Sequence, residues 1–112
     1  MSKHSFLPIY KDSYDLFLYF YPISSNFAKE FKYSLGENIK NEMMEILLNI
    51  YRANNNKNKK EFIIKARENV EKIIIYIRIL KDLKQINLKK FAYLNQQINS
   101  IEKQLSFWQK AN

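Results

Sequence analysis

Apolar residues recur at alternating intervals of three and four along most of the chain, which is the periodicity of one face of an α-helix. Within residues 61–83 this seam comprises Ile63, Ala66, Val70, Ile73, Ile77 and Leu80. Near the C-terminus it comprises Phe91, Leu94, Ile98, Ile101, Leu105 and Trp108. Residues 16–27 and 35–50 have similar spacing. The pattern therefore predicts four helices.

Polar residues between the seams predict where each helix begins and ends. The predicted helices span about residues 13–31, 35–53, 60–84 and 88–110, after an irregular lead-in over residues 1–11. Asp12 is the expected N-cap of the first helix and Asn87 that of the last, because their side chains accept hydrogen bonds from free backbone N–H groups. Ser34 with Glu37 has the form of a capping box that opens the second helix.

Pro22 falls inside the first apolar stripe. A proline in a helix interior either kinks the helix or ends it, so a restart just after it is the alternative. Because the stripe continues in phase across Pro22, we expect one kinked helix.

Four helices with short connections favour an all-α fold, an antiparallel up-down-up-down four-helix bundle. The chain has only one Gly and two Pro, which leaves little material for hairpins and tight turns. No internal repeat or long linker divides the sequence. We therefore expect a single domain over residues 1–112.

The third helix carries more apolar residues than one seam requires. Ile75 and Ile79 point away from the seam, among Glu71, Arg78 and Asp82. A second apolar side needs a second surface, and another copy of the chain is the simplest one. Ile75, Tyr76 and Ile79 are thus the candidate oligomer contacts. The alternative is that the N-terminal lead-in covers them.

The charge of the chain favours a polyanionic partner. Lys and Arg number 19 against 11 Asp and Glu, a net charge of +8. Nucleic acid is the commonest partner for such a surface, ahead of acidic proteins or membranes. The alternative is a lysine-rich surface that only keeps an apolar oligomer in solution. Without Cys, a signal peptide or a membrane span, the expected location is the cytoplasm.

Several basic residues fall at one end of the predicted bundle, since the first and third connections lie together in up-down topology. They are Lys29, Lys32, Arg78, Lys81, Lys84, Lys89 and Lys90. Lys89 and Lys90 stand in the first turn of the last helix, beside backbone N–H groups that suit a phosphate. These seven are the candidate nucleic-acid-binding residues. A solvated lysine-rich cap is an equally good account from charge alone.

Enzyme chemistry has little support in the sequence. The one histidine, His4, lies in the lead-in, and the one glycine excludes a glycine-rich phosphate loop. Helical Glu-x-x-His pairs of di-iron bundles do not occur. We expect no catalytic residues, no metal site and no cofactor.

Five short stretches also carry a family resemblance. They are LYFYP at residues 18–22, FAKEFKYSLG at 27–36, YRAN at 51–54, IRILKDL at 77–83 and SFW at 106–108. In order and spacing they resemble the accessory variability determinant proteins of diversity-generating retroelements. These belong with the four-helix-bundle proteins encoded in intervening sequences of ribosomal RNA genes. The resemblance covers roughly residues 13–110.

The resemblance implies a ring- or barrel-like homopentamer without an active site. Its basic surface would engage the reverse transcriptase of the same element and its template RNA, and possibly cDNA, to support mutagenic reverse transcription. Lys29, Lys32, Arg78 and Lys81 fall on basic positions of the family pattern. The alternative function is an oligomeric helical scaffold that contacts only protein.

Overall fold

The computed structural model describes residues 7–112 as helices joined by short connections. The helices are α1 (Pro8–Ser24), α2 (Lys29–Lys32), α3 (Leu35–Asn54), α4 (Lys59–Asp82) and α5 (Leu88–Lys110). Four are long and α2 is a single turn. No β-strand occurs in this part of the chain, so the predicted all-α class is confirmed.

The four long helices form an antiparallel bundle. Helix α1 packs against α3 and α5, and α4 packs against the same two helices. Asp12 near the start of α1 accepts a hydrogen bond from Gln104 near the end of α5, whereas the Tyr19 ring contacts the tilted Tyr93 ring near the start of α5. These two contacts show that α1 and α5 are antiparallel. The bundle measures 43 × 25 × 19 Å.

The predicted seams form the core. All six seam residues of α4 are fully buried, as are the four central seam residues of α5, Leu94, Ile98, Ile101 and Leu105. Phe91 and Trp108, at the two ends of the α5 seam, are only partly buried. Burial of such side chains stabilises the fold by roughly 1.5–3 kcal/mol each, and this is the main reason the helices associate.

The first helix begins earlier than the sequence pattern predicts. It starts at Pro8, with Leu7 in extended conformation before it, so the predicted irregular lead-in is wrong for residues 8–11; residues 1–6 lie outside the described part. Proline suits the first helical position because its missing N–H has no partner there in any helix. Asp12 is consequently not a cap but lies inside α1, where its carboxylate accepts a hydrogen bond from Gln104 at 2.8 Å.

The predicted kinked helix over residues 13–31 is also wrong. Helix α1 continues past Pro22 for only two residues and ends at Ser24. The hydroxyls of Ser24 and Ser25 donate to the carbonyls of Tyr21 and Pro22, at 2.7 and 2.6 Å, and so satisfy the last carbonyls of the helix. The chain then turns and enters the one-turn helix α2. Phe27 continues the apolar phase because it folds back onto Phe20, with ring centroids 5.9 Å apart.

The predicted caps of the later helices have different outcomes. Asn87 caps α5 as predicted, since its side-chain oxygen accepts the N–H of Lys90 at 2.8 Å. Ser34 occupies the N-cap position of α3, but its hydroxyl donates to the carbonyl of Glu30 at 2.6 Å. The capping box with Glu37 therefore does not form, and Glu37 pairs with Lys40 at 2.9 Å.

Candidate nucleic-acid interface

Gln85 joins the first and third connections of the bundle. Its side-chain oxygen accepts the backbone N–H of Ala28 at 2.8 Å, and its amide nitrogen donates to the carbonyl of Leu83 at 3.0 Å. The two connections therefore lie against each other at one end of the bundle, as the topology predicted. Nothing in the sequence pattern marked Gln85 for this role, because a single glutamine between two helices carries no periodic signal.

Helix α4 ends in a Schellman motif that positions the third connection. The N–H of Gln85 donates to the carbonyl of Leu80 at 2.9 Å, and that of Lys84 donates to the carbonyl of Lys81 at 3.0 Å. Lys84 has φ of 60°, and it is the one non-glycine residue with positive φ among residues 7–112. The motif reverses the chain within a few residues and sets the side chain of Lys84 at the turn.

Three predicted lysines line one cleft between the end of α4 and the start of α5. Lys81, Lys84 and Lys90 lie around a cleft of about 530 Å³, whose other lining residues are Gln85, Ile86, Asn87 and Leu88. The Lys81 ammonium lies 4.8 Å from the centroid of the Phe91 ring, a cation–π contact that restrains this side chain. Three lysines and the N-terminal end of α5 thus border the same space. We call this the basic cleft.

The other four predicted basic residues lie at the same end but outside the basic cleft. Lys29 and Lys32 stand on α2, next to the Ala28–Gln85 hydrogen bond, and the Lys32 ammonium lies 5.5 Å from the centroid of the Tyr33 ring. Arg78 lies on the α4–α5 side, and Lys89 is exposed in the first turn of α5. Together the seven residues form what we call the basic end.

Acidic residues offset little of this charge. Asp82 lies 3.8 Å from the Arg78 guanidinium and 3.6 Å from the Lys81 ammonium. The Arg78 and Asp82 side chains are 70% and 60% exposed, so the pair is screened by solvent and weak. Glu30 on α2 is the other carboxylate among these residues. The basic end therefore keeps a net positive charge that can attract phosphates.

The candidate oligomer contacts lie beside the basic end. Ile75 is 61% exposed, and Ile79 is half-buried with Ile74 and Phe91 around a depression of about 320 Å³. Tyr76 is partly buried and packs against the core, so it contributes less to this apolar patch. In the described part of the lead-in, Leu7 and Pro8 lie at the opposite end of the bundle, away from the patch.

The remaining functional expectations concern metals and membranes. His4 lies outside the described residues. Within residues 7–112 no three side chains of the His, Cys, Asp and Glu types converge on a common point. None of the helices in the same range combines the length and the apolar character needed to cross a lipid bilayer.

Comparison with known proteins identifies the family. No curated protein matches the chain. The model of the bAvd-like family, in contrast, matches residues 7–112, which is nearly the entire sequence. The match confirms the resemblance to accessory variability determinant proteins that the five short stretches carried. The chain belongs to the bAvd-like family.

Proposed function

We propose that this protein is a non-catalytic accessory protein of a diversity-generating retroelement. In this role it binds the reverse transcriptase of the element and its template RNA or cDNA through the basic end. Family membership supports the accessory role, because proteins of this family are generally accessory and non-catalytic. The proposed complex supports mutagenic reverse transcription by holding template and enzyme together.

The observation that carries the proposal is that several lysines lie together at the basic end, where Gln85 joins the first and third connections by hydrogen bonds. Three separate segments, namely α2, the end of α4 and the start of α5, supply these side chains. Phosphate oxygens would accept hydrogen bonds from the ammonium groups and from free N–H groups in the first turn of α5. Such contacts follow the backbone of the nucleic acid and do not read its bases.

Binding through phosphates has a measurable consequence. Each contact releases condensed counterions, so affinity falls steeply as salt rises and depends little on RNA sequence. The first test replaces Lys29, Lys84 and Lys89, which are all exposed, with Glu. We expect the variant to bind a labelled single-stranded RNA at least about tenfold more weakly. The salt slope should fall by about 2, since each contact to a single strand contributes about 0.7. Fluorescence polarisation over a salt series measures both quantities.

A matched control reverses three exposed lysines at the opposite end, Lys57, Lys60 and Lys65. It changes the net charge by the same amount, so it separates a local site from a general charge effect. Equal loss of RNA binding in the two variants would contradict the proposed location.

The second candidate function is a scaffold that binds only protein, and the exposed Ile75 patch favours it. In that case the lysines keep an oligomer in solution and the intact protein does not bind RNA at physiological salt. The same titration decides between the two functions. RNA binding by the intact protein that is lost on reversal of the basic end excludes the scaffold-only function.

A further inference from the structure

An apolar groove lies at the end of the bundle opposite the basic end. It runs between the first turn of α1 and the last turns of α5, and its volume is about 420 Å³. Its apolar lining consists of Leu7, Pro8, Ile9, Phe107, Trp108 and Ala111. Phe107 is 77% exposed, the largest exposure among the large hydrophobic residues of residues 7–112. We call this surface the far-end groove.

The rim of the far-end groove is basic. Lys103, Phe107 and Lys110 follow one another at spacings of four and three, so they share one stripe of α5. Of the nearby carboxylates, Asp15 pairs with Lys11 at 2.7 Å. Asp12 accepts a hydrogen bond from the neutral Gln104 amide at 2.8 Å and keeps its charge, but the two lysines of the rim outnumber it. A partner that complements this surface therefore needs an apolar face for the floor of the groove and negative charges for its rim.

We propose that the far-end groove binds an acidic amphipathic helix of another protein. Such a helix places its apolar face on Phe107 and Trp108, and its carboxylates meet Lys103 and Lys110. Residues 103–111 of α5 extend about 12 Å, which matches roughly two turns of a bound helix.

A second copy of this chain is the less suitable occupant. A two-fold contact of this end with itself would bring Lys103 and Lys110 of both copies together, in a chain that already carries a net charge of +8. In a ring the contact joins two different surfaces, and the mass of the Phe107→Glu variant in solution tests that case. The site is also separate from the proposed nucleic-acid interface, because the long axis of the bundle, 43 Å, lies between the two ends. The groove can therefore be occupied while the basic end holds RNA, and the inference does not depend on RNA binding.

The test uses a fluorescein-labelled helical peptide of about 18 residues, or five turns, with Leu and Trp on one face and Glu on the other. One comparison peptide has each Glu replaced by Lys, and a second has the same composition in scrambled order. We expect the full-length protein to bind the acidic amphipathic peptide at least about tenfold more tightly than either comparison peptide, measured by fluorescence polarisation. Equal binding of the acidic and basic peptides would overturn the proposal.

Two variants locate the binding site. Phe107→Glu removes an exposed ring and adds a repelling charge, so the affinity for the acidic peptide should fall at least about tenfold. Leu18→Glu makes the same kind of change at a 52% exposed position of α1 outside the groove, and its affinity should stay within about twofold. Circular dichroism checks that both variants keep the helical fold. An unchanged affinity in the Phe107 variant contradicts the assignment.

Other occupants give different results. If the peptide binds only after residues 1–6 are deleted, the N-terminal segment of the chain itself fills the groove and the proposal fails. If Phe107→Glu lowers the mass of the protein in solution, a second copy fills the groove and the proposal fails as well.

Discussion

Lys84 is the residue at which local conformation and proposed function conflict. It occupies the C′ position of the α4 Schellman motif at φ of 60°, where glycine is the usual residue because it has no Cβ. A lysine in the left-handed region costs roughly 1 kcal/mol relative to glycine. The same lysine lines the basic cleft, where its ammonium can bind a phosphate. The residue with the strained backbone is therefore also one that we propose for binding.

Lys84→Gly should therefore make the protein more stable and weaken its binding to RNA. We expect the free energy of unfolding to rise by about 1 kcal/mol, and the melting temperature to rise by a few degrees. Thermal and urea denaturation at fixed protein concentration measure the change. Lys84→Ala is the matched control, since it removes the same charge but keeps the Cβ. If both variants have the same stability, the left-handed conformation carries no cost.

At the scale of helices, a partly buried polar network links α3 to α4. Asn49 is 3% exposed, and its amide nitrogen donates to the Asn69 side-chain oxygen at 2.9 Å. The Asn69 amide nitrogen in turn donates to Glu42 at 2.8 Å, and the Lys72 ammonium lies 3.8 Å from the Glu42 carboxylate. Apolar contacts alone tolerate a shift of one helix along another, whereas these hydrogen bonds form at one register only.

Removing one partner of this network should cost more than removing both. Asn49→Ala leaves the Asn69 oxygen without its donor in a partly buried position, and we expect a loss of about 1–3 kcal/mol in the free energy of unfolding. The double variant Asn49→Leu with Asn69→Leu should recover part of that loss, because two apolar side chains replace the two amides, whereas Glu42 loses its hydrogen bond from Asn69 and keeps only Lys72 at 3.8 Å. Urea denaturation of the two single variants and the double variant gives the coupling free energy between Asn49 and Asn69. Strictly additive losses would show that the network is not coupled.

At the scale of the whole molecule, we propose partners for three surfaces of residues 7–112. The basic end and the far-end groove lie at opposite ends, and the Ile75 patch lies on the α4–α5 side next to the basic end. The bundle is 43 Å long but only 25 by 19 Å across. If other copies pack along its long sides, both ends stay free to bind different partners. The exposed Ile75 patch is the reason to expect self-association, and the number of subunits, five by resemblance, stays a prediction.

Ile75→Glu with Ile79→Glu should abolish that association. The substitutions place two carboxylates in an apolar contact, where burying a charge without a partner is costly. Light scattering coupled to size exclusion should give an oligomer for the intact protein and a monomer for the double variant. Phe107→Glu, at the opposite end, should keep the oligomer mass. A monomeric intact protein would show that the extra apolar side of α4 does not serve self-association.

Much of the fold could be predicted from residue spacing. The seams of α4 and α5 were read directly from the sequence, and the bounds of α5 are those predicted, Leu88–Lys110. This works because a helix that buries one face must repeat its apolar residues every three or four positions. The end of α1 could not be read in this way. Phe27 keeps the apolar phase after Pro22 although it is no longer in α1, since a turn can return a side chain to the same core.

The candidate site was predictable in its residue types but not in its geometry. Charge and topology placed seven basic residues at one end, whereas the structure brings only Lys81, Lys84 and Lys90 around one cleft. The difference arises from Gln85 and from the left-handed turn at Lys84, which depend on hydrogen bonds between residues distant in sequence or on a backbone angle. The far-end groove could not be predicted for the same reason: it depends on contacts between distant segments, because its two walls are nearly 100 residues apart in the chain.

The sequence by itself determined that this protein is a bundle of long helices with a basic character, and its short motifs identified the family. These properties are carried by local periodicity, composition and residue order, which need no knowledge of distant contacts. Only the tertiary structure decided where α1 ends, which lysines share a cleft, and that Phe107 and Trp108 form a groove with residues 7–9. Each of those features is a contact between separate segments. Its geometry is set by how four seams pack into one core.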